Sequence, residues 1–467
     1  MADCCDDFTR SHLLRGSVAQ AGAGLPVIEP GMPIPAGTGL TRRSMLLRSA
    51  GLALAVYGAG KTLTPQAFEA AVAEAAGEQK VLVSIFMDGG ADALSLLAPV
   101  GIPAYYTLRP SLGISGLQAT AAFEPDSRLH WHPSAQGLKD LWDDPGVGVA
   151  VAPAIGYASP NQSHFTSRHF WEVGATDPNA TTGWLGRYLD RVGDPNVPIQ
   201  GLSLDNSLSP QLATNSVAVA ATTDVTGYNF QAQNVWGTEQ TRMRTTYGQL
   251  GAVSSTDPIT AQARQAQANA AGLSNDLATV ASTPVASASA GYPAANTGFK
   301  TRLQSVARLL GTTTAAGDHL PVRCVTLSAQ GGYDTHSNQT TDFSNNLLAT
   351  ASNIRAFWRD LELRGVADRV VILLWSEFGR RPAENGSGTD HGAAGAAFVI
   401  GQNVAQGMIG EFPGLAAGTG LDGAGNLRAT SDFRGLYGAL LEQWFQTDAE
   451  GIIPSHGSFA KPALFGP

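Results

Sequence analysis

Short apolar runs alternate with helical patterns along the chain from residue 81 onward. The clearest run, Val370 to Trp375, contains no polar residue and is too short for an isolated helix, so it predicts a strand buried on both faces of a sheet. Similar runs predict further strands at 81–87, 147–152, 201–204, 217–221 and 322–327. Helical patterns are found at 135–142, 161–172, 343–363 and 433–445. This alternation predicts an α/β fold whose central, mostly parallel sheet is covered by helices on both faces.

Two segments depart from this pattern. Residues 1–76 have the character of a leader, and residues 77–467 are predicted to form a single domain. A polar Ala/Ser-rich insertion lies around 222–298 of that domain, with an exposed helix predicted at 261–281 and a flexible linker at 282–297. The alternation of strands and helices resumes after the insertion, which favours one continuous sheet.

The leader contains the motif of a twin-arginine export signal. Arg42 and Arg43 precede an apolar, Ala/Gly-rich stretch from Leu46 to Gly60. Paired arginines also occur by chance, but the apolar stretch behind this pair favours a signal. Arg48 interrupts the stretch, so no stable membrane span is expected after processing. The predicted location is therefore periplasmic or secreted, with the twin-arginine translocase as a partner during export.

The charge balance argues against one class of partner. Lys and Arg total 29 against 38 Asp and Glu, a net charge of −9, and no basic run stands out beyond the leader. Nucleic acid is therefore not expected as a partner. The cysteines are Cys4, Cys5 and Cys324, which leaves neither a disulfide framework in the mature chain nor a CxxC metal site.

Candidate metal ligands follow the predicted strands at the points where the strands end. Because the carboxyl ends of parallel strands meet at one edge of a sheet, these side chains are expected to converge. The candidates are Asp88, Asp92, Asp334, His336, Glu377, Asp390 and His391. Carboxylate and imidazole groups together suit a divalent ion, with Zn, Mn, Fe and Mg left open. Two such ions would clamp the oxygens of a phosphate or sulfate ester.

Three further residues are candidates for the chemistry itself. Ser163 and His164 open a predicted helix, where backbone N–H groups favour an anion, so Ser163 is a candidate nucleophile and His164 a candidate ligand or acid–base group. Arg380 is a candidate contact for an oxyanion, or else an ion-pair partner of Glu377. The anionic ester would be a small molecule or a group linked to a polymer.

Several of these residues also have a purely structural interpretation. Asp88 and Asp92 lie in a glycine turn, where aspartates commonly act as caps. Ser163 could be only the N-cap of its helix, and His164 a half-buried histidine whose hydrogen bonds are satisfied. The sequence leaves these alternatives open. A shared site requires that the strand ends meet, whereas the structural roles do not.

The motifs as a set resemble a known bacterial family. They are the twin-arginine leader and the segments FMDGGADALSLLAPVGIPAYYTLRP, NQSHFTSRHFWEVG, GWLGRYLDR, GGYDTHSNQ and SEFGRRPAENGSGTDHG. This combination, which covers most of the mature chain, resembles the family called domain of unknown function 1501. That family looks like a branch of the alkaline phosphatase/sulfatase superfamily, whose members place two metal ions and a nucleophile at the carboxyl edge of a central sheet. The resemblance implies an alkaline-phosphatase-like fold and a metal-dependent hydrolase.

The resemblance also implies roles for individual residues. Asp88 resembles the first metal aspartate of the superfamily, with Asp92 as a rival for that role. Ser163 is similar to the nucleophile, and Asp334 with His336 resembles the Asp and His that hold one ion. These last two residues stand closer together in sequence than the usual one-turn spacing.

One position departs from the superfamily's pattern. Where an Asp-His pair usually follows the next strand, this chain has Glu377-Phe378. Either Glu377 supplies one carboxylate and Asp390-His391 restores the imidazole, or the second metal site is incomplete. The first alternative implies an exported metal-dependent hydrolase of phosphate or sulfate esters. The second implies a catalytically inactive envelope binding protein that keeps the fold.

Overall fold

A mixed ten-stranded sheet forms the centre of the molecule. The computed structural model describes residues 54–55, 79–115, 121–195, 197–226, 235–286, 288–314 and 317–466. The predicted leader and its export motif therefore lie outside the described residues, apart from Leu54 and Ala55. Within the described ranges, no helix combines the length and the apolar character needed to cross a membrane.

The strands are, in chain order, β1 (Leu54–Ala55), β2 (Val81–Phe86), β3 (Leu97–Ala98), β4 (Ala122–Phe123), β5 (Asp126–Trp131), β6 (Gly148–Gly156), β7 (Gly201–Ser203), β8 (Val219–Ala221), β9 (Cys324–Ser328), β10 (Val370–Trp375), β11 (Arg380–Glu384), β12 (Thr389–His391), β13 (Gly395–Gly401), β14 (Gly407–Met408) and β15 (Ser431–Asp432). The α-helices are α1 (Ala93–Leu96), α2 (Pro103–Leu108), α3 (Gln136–Asp143), α4 (His164–Val173), α5 (Trp184–Val192), α6 (Gly237–Gly251), α7 (Pro258–Val280), α8 (Gly298–Leu310), α9 (Gln339–Leu363) and α10 (Phe433–Ala439). Helix α10 continues as a π-helical turn, Leu440–Trp444.

The middle of the sheet is parallel. Its strand order is β1-β8-β7-β9-β2-β10-β13-β6-β14, and β15 also pairs with β6. Strands β8, β7, β9, β2 and β10 run parallel, whereas β13 is antiparallel to both of its neighbours, β10 and β6. Strand β6 therefore runs in the same direction as β10. The predicted α/β fold with a mostly parallel sheet is confirmed, and the carboxyl ends of β2, β6, β9 and β10 meet at one edge.

Apolar side chains cover both faces of the sheet because successive residues of a strand point to opposite sides. In β2, Val83 and Ile85 join one buried cluster, while Leu82 and Phe86 join the other. Helices α3, α8 and α9 pack on the first face, and α4, α5 and α10 pack on the second. Burial on both faces explains why the central strands are almost free of polar residues.

The predicted elements are observed with small changes of boundary. Strand β10 has the predicted bounds, and the helix predicted at 343–363 begins four residues earlier, at Gln339. Several elements were not predicted, among them the strands that directly follow β10. The loop after β10 contains the hairpin β11–β12, and β13 follows it into the sheet.

The polar insertion contributes a helical pair. Helices α6 and α7 pack on each other, and α7 corresponds to the helix predicted at 261–281. The expectation that this helix is exposed was wrong along one side, because Leu273, Leu277 and Val280 are buried in the first apolar cluster. The division of the chain into leader, single domain and insertion stays a prediction.

Candidate metal centre

Loops at the carboxyl edge of the sheet bring together predicted ligands that are far apart in sequence. The loop after β9 supplies Asp334 and His336, and the hairpin that follows β10 supplies His391. His164 is the first residue of α4, which follows β6. Ligand atoms of His164, Asp334 and His391 all lie within 4.8 Å of one another, a spacing that a metal ion could bridge.

Three imidazole rings point the same nitrogen at one carboxylate oxygen. The Nε2 atoms of His336, His391 and His164 lie 3.1, 3.3 and 3.5 Å from Oδ1 of Asp334. The Nε2 atoms of His336 and His391 are 2.9 Å apart. This convergence places four potential ligand atoms around one small volume.

The opposite nitrogen of each ring faces an acceptor. Nδ1 of His164 lies 2.7 Å from Oε1 of Glu377, and Nδ1 of His391 lies 2.7 Å from the carbonyl oxygen of Gln162. Nδ1 of His336 is 3.4 Å from Oδ1 of Asp390. In His164 and His391 the contact on the Nδ1 side is the shorter one, so in a neutral ring the proton belongs on Nδ1 and the Nε2 lone pair faces Asp334.

The converging Nε2 atoms bring lone pairs close together. Lone pairs of His336 and His391 at 2.9 Å, next to the oxygen of Asp334, repel each other unless a cation or a proton lies between them. Nε2 of His164 is buried and has no hydrogen-bond partner among the described residues. Nitrogen and oxygen ligands of this kind, with acceptors behind the imidazoles, fit a divalent transition metal.

The charges around Asp334 favour its ionised form. Burial raises the pKa of Asp334, but the hydrogen bond and the charge of Arg380 outweigh burial and lower the pKa to about 2. Burial lowers the pKa of His391, and the charge of His164 lowers it further. The pKa of His164 is also lowered by burial, yet the hydrogen bond and charge of Glu377 raise it overall. Asp334 is thus held as an anion, and His391 as a neutral ring.

Glu377 lies behind His164 and does not face the centre. Its side chain is fully buried, and Oε1 accepts hydrogen bonds from the backbone N–H of Gly89 as well as from His164. The hydroxyl of Ser376 lies 3.0 Å from Oε2. The ring of Phe378, next in sequence, packs against both His164 and His391 at centroid distances of 4.9 and 5.0 Å. The Glu377-Phe378 pair therefore orients the rings of His164 and His391.

A close contact between two loops places Asp88 beside Asp334. The N–H of Tyr333 donates to the carbonyl oxygen of Asp88 over 2.7 Å. Gly89 has a φ of 111°, and a Cβ atom at this position would lie 2.3 Å from the backbone nitrogen of Asp334. A residue with a side chain would force these loops apart, which explains the glycine after the first strand.

Arg168 is a residue of the site that the sequence analysis did not single out. It lies one turn after His164 on α4, where its guanidinium stacks on the ring of Phe86 at 4.5 Å. Nε donates to the buried Glu172 over 2.8 Å, and Nη1 lies 3.9 Å from Oδ1 of Asp88. Burial raises the pKa of Asp88, and the charge of Arg168 partly offsets this. The sequence could have indicated Arg168 through its spacing of four residues from His164, which places both side chains on the same face of α4.

Two predicted site residues have other roles in the structure. Asp92 is fully buried, where it caps α1 and pairs with Arg109, with Nη2 of Arg109 3.0 Å from its Oδ1. Its other oxygen accepts from the side chains of Ser95 and Gln339. Both oxygens are therefore occupied, and we do not retain Asp92 as a metal ligand.

Arg380 is likewise buried and does not face solvent. Its guanidinium donates to the carbonyl oxygens of Gly89, Gly90 and Thr389. It also forms an ion pair with Asp334. This position makes Arg380 the counter-charge of Asp334, and its donors are already used by the protein. The guanidinium of Arg168 is partly exposed to solvent, whereas that of Arg380 is not.

Ser163 is the residue before α4 and stands between Gln162 and His164. It is half-buried, and its hydroxyl makes no capping hydrogen bond to the helix. Its own N–H donates to Oδ1 of Asn161 over 2.8 Å. Ser163 is therefore adjacent in the chain to two groups of the centre, with its hydroxyl not engaged as a cap.

Comparison with known proteins assigns the chain to a family. The family model described as "Protein of unknown function (DUF1501)" matches residues 123–447. The chain belongs to this family. The match includes the three converging histidines and Asp334, whereas Asp88 lies ahead of it. No curated protein matches the chain.

Solved structures give more distant matches. A protein of the alkaline phosphatase superfamily from Vibrio parahaemolyticus is 8% identical, with 83% of this chain and 76% of that chain covered and a TM-score of 0.34. The soluble domain of lipooligosaccharide phosphoethanolamine transferase A from Neisseria meningitidis is 11% identical, with 89% and 97% covered and a TM-score of 0.34. Phosphonate monoester hydrolase of Agrobacterium radiobacter is 10% identical, with 78% and 74% covered and a TM-score of 0.31. Scores of this size carry no argument about chemistry.

Proposed function

We propose that this protein is an exported metal-dependent hydrolase of phosphate or sulfate esters with an alkaline-phosphatase-like fold. The observation that supports the proposal is the convergence of three Nε2 atoms on Oδ1 of Asp334. A second support is its place at the carboxyl edge of a parallel sheet, where ligands of α/β proteins bind. Asp334, close to Arg380, contributes the anionic ligand.

The ligands fit some divalent ions better than others. His164, His336 and His391 would hold the ion together with Asp334. Imidazole ligands suit Zn, Mn or Fe, whereas Mg prefers oxygen ligands and water. When bound, such an ion would polarise an ester oxygen and stabilise the negative charge that develops on it. Glu377, Asp390 and the carbonyl of Gln162 would keep the three rings in the orientation that ligation requires.

Arg168 is the proposed contact for the anionic group of the substrate. About 37% of its side chain is exposed, and only Nε is committed to the hydrogen bond with Glu172. The guanidinium would then donate hydrogen bonds to an oxyanion in place of the long contact to Asp88, which is 3.9 Å away. A planar guanidinium binds phosphate and sulfate oxygens in pairs.

Ser163 is the proposed nucleophile. It stands at the N-terminus of α4, where backbone N–H groups favour negative charge, and its hydroxyl is free of a capping role. In the hydrolysis, Ser163 would form a bond to phosphorus or sulfur while the bond to the ester oxygen breaks, and its proton would end on that oxygen, which leaves as an alcohol. Water would then cleave the serine ester, release phosphate or sulfate and restore the hydroxyl of Ser163. Ser163→Ala is expected to abolish turnover and to leave the metal content unchanged.

Two observations favour a second candidate function. Glu377 is used to orient His164, and the described residues around Asp334 form a single group of ligands where the superfamily resemblance implies two ions. A metal-binding envelope protein without hydrolytic activity would have the same appearance. The Ser163→Ala variant distinguishes the two candidates. An enzyme loses its turnover in the variant, whereas a binding protein shows no turnover before or after the substitution and keeps its ligand affinity.

The test of the proposal is turnover by protein exported natively. Generic aryl phosphates and aryl sulfates should be hydrolysed in the presence of Zn²⁺ or Mn²⁺, and the activity should disappear with a chelator and return with the metal. Metal-loaded, folded protein that hydrolyses neither ester would contradict the proposal and favour the binding protein.

A further inference from the structure

The hairpin β11–β12 packs against the loop that follows β9, and each of these two segments carries ligands of the metal centre. The loop supplies His336, and the hairpin supplies His391. The N–H of Thr389 donates to the carbonyl oxygen of Thr335 over 3.1 Å. A Cβ atom at Gly388 would lie 2.2 Å from the carbonyl carbon of His336, so the two backbones are in close contact. The separation of the two imidazole rings therefore depends on how these segments are joined.

A buried glutamine joins them. Gln339 is the first residue of α9 and is only 2% exposed. Its Oε1 accepts hydrogen bonds from the hydroxyl of Thr389 over 2.6 Å and from the hydroxyl of Thr335 over 3.1 Å. Thr335 immediately precedes His336, and Thr389 stands two residues before His391. One amide oxygen is thus bonded to both segments that carry these ligands.

The other end of the Gln339 amide is held by an anion. Its Nε2 donates to Oδ2 of Asp92 over 2.6 Å, and the hydroxyl of Ser95 lies 3.3 Å away. Burial raises the pKa of Asp92, but the charge and the hydrogen bonds of Arg109 outweigh burial and lower the pKa overall. An ionised carboxylate only accepts hydrogen bonds, so the amide turns its NH₂ group to Asp92 and its oxygen to the two hydroxyls. The orientation of the Gln339 side chain is therefore fixed.

Arg109 attaches the first strand of the hairpin to the same group of buried side chains. Its guanidinium is fully buried and donates to the carbonyl oxygens of Pro382 over 2.8 Å and of Arg381 over 3.0 Å, both in β11. It also pairs with Asp92. Both strands of the hairpin are therefore bonded to one buried network, β11 through Arg109 and β12 through Gln339. A buried polar network whose members are satisfied makes the surrounding structure rigid.

This network holds ligands in place without contacting the ion. We propose that Gln339 is a positioning residue of the metal centre, which keeps the Nε2 atoms of His336 and His391 close enough together to share one ion. Ligands that are held in place before binding give a higher affinity, because less conformational freedom is lost when the ion binds. The inference rests on the metal centre of the proposed function, and it does not depend on which ester is hydrolysed.

Metal titration of a Gln339→Leu variant tests this role in the full protein after chelator treatment. The variant loses both the acceptor and the donor of the amide, so its affinity for Zn²⁺ should fall at least about tenfold, as is usual when the partners behind metal ligands are changed. The absorption spectrum of the Co²⁺-loaded variant should also differ from that of the native protein, because the spectrum reports the geometry of the ligands. The matched control is Gln211→Leu. Gln211 is equally buried and accepts from the hydroxyl of Ser84 over 2.9 Å, but it is bonded to neither ligand segment, so this control should keep the native affinity and spectrum.

Thr389 provides a second pair of variants, which replaces Gln339→Leu if that protein does not fold. Thr389→Val removes the hydroxyl at nearly constant shape and should weaken Zn²⁺ binding, whereas Thr389→Ser keeps the hydroxyl and should bind Zn²⁺ like the native protein. The inference is refuted if Gln339→Leu binds Zn²⁺ as tightly as the native protein, or if Gln211→Leu loses as much affinity. Equal affinities of Thr389→Val and Thr389→Ser have the same meaning.

These outcomes are distinct from a failure of the proposed hydrolase. Absence of ester turnover would refute the hydrolase and leave the role of Gln339 intact, because the measured quantities are a metal affinity and a spectrum. Folded native protein that binds neither Zn²⁺ nor Co²⁺ would refute both.

Discussion

The Nδ1 atom of His164 lies 2.7 Å from Oε1 of Glu377, a carboxylate with no exposure to solvent. This contact fixes the orientation of the imidazole, so that Nε2 faces Asp334 at 3.5 Å. A carboxylate behind a ligating histidine both holds the ring and strengthens its lone pair. Glu377, which stands where the resemblance implies an Asp-His pair, thus orients the ring of His164.

The task of Glu377 can be tested by removing only its charge. Glu377→Gln keeps an oxygen that can accept from His164 but no longer carries a full negative charge. We expect metal affinity to fall by about 10–100-fold, as is usual when such a partner is changed. Metal titration of the chelator-treated protein measures the effect. Glu239→Gln, at an exposed position on α6, is the matched control, and equal affinities of all three proteins would rule out the role.

Asp92 and Asp334 are expected to respond differently to the same substitution. Asp92→Asn breaks a fully buried pair with Arg109 and should lower the free energy of unfolding by about 3–5 kcal/mol. It should leave the metal content of the folded protein unchanged. Asp334→Asn should remove the bound metal. Denaturant unfolding and metal analysis of both variants check this, and a loss of metal in folded Asp92→Asn protein would restore Asp92 as a ligand.

Arg168 is expected to affect the use of anionic substrates. Arg168→Met removes a charged donor and should lower kcat/KM for an aryl phosphate by about 10–100-fold. Arg168→Lys keeps the charge beside Glu172 and should have a smaller effect. Arg242→Lys, on the exposed side of α6, serves as the control. Unchanged kcat/KM in both Arg168 variants would show that the substrate does not contact this residue.

Stability is expected to depend on pH through His132, a residue outside the metal centre. It is buried, its Nδ1 accepts from the N–H of Ser134 over 2.9 Å, and burial lowers its pKa from 6.5 to about 4. The unfolded chain therefore binds this proton more readily, so stability is complete above pH 6.5 and falls as the pH drops toward 4. The total loss is about 3 kcal/mol, from 1.36 kcal/mol per pKa unit.

The matched variant for this dependence is His132→Asn. Its side-chain oxygen can still accept from Ser134, but it does not titrate. Unfolding in denaturant at several pH values should show a shallower loss of stability for the variant than for the native protein between pH 6.5 and 4. Parallel curves would show that His132 is not the group responsible.

The export proposal depends on the arginine pair. Replacing both Arg42 and Arg43 by Lys should retain the protein in the cytoplasm, while Arg48→Lys should leave export unchanged. Cell fractionation followed by detection of the protein measures this. Export of the double variant at the native level would contradict the twin-arginine route.

The sequence predicted the sheet well because its central strands are buried on both faces. Val370 to Trp375 has no competing interpretation, and the parallel pairing of its neighbours follows from the helices between them. The convergence of His164, Asp334 and His391 at one edge is a consequence of that topology. Strand ends in a parallel sheet share an edge even when their residues are far apart in the chain.

Other features depend on tertiary contacts that a sequence does not display. The hairpin β11–β12 has a polar, glycine-rich sequence that indicates a loop, and the N–H of Thr389 donates to the carbonyl oxygen of Thr335 on another loop. Asp92 is indistinguishable by sequence from a ligand, since its partner Arg109 is 17 residues away. Arg168 stands at helical spacing from His164 in the sequence, but only the fold shows that it lies beside Asp88.

Metal analysis of the purified native protein tests the central claim most directly. Protein isolated without chelators should contain a divalent metal, and His391→Ala should not. The control is His456→Ala, in the cluster with Glu442 and Asp448, where Lys461 lies 2.5 Å from Glu442 and already supplies a positive charge. This variant should keep the metal. Folded native protein that neither contains nor takes up Zn²⁺ or Mn²⁺, or a His391→Ala variant that holds the ion equally well, would contradict the account.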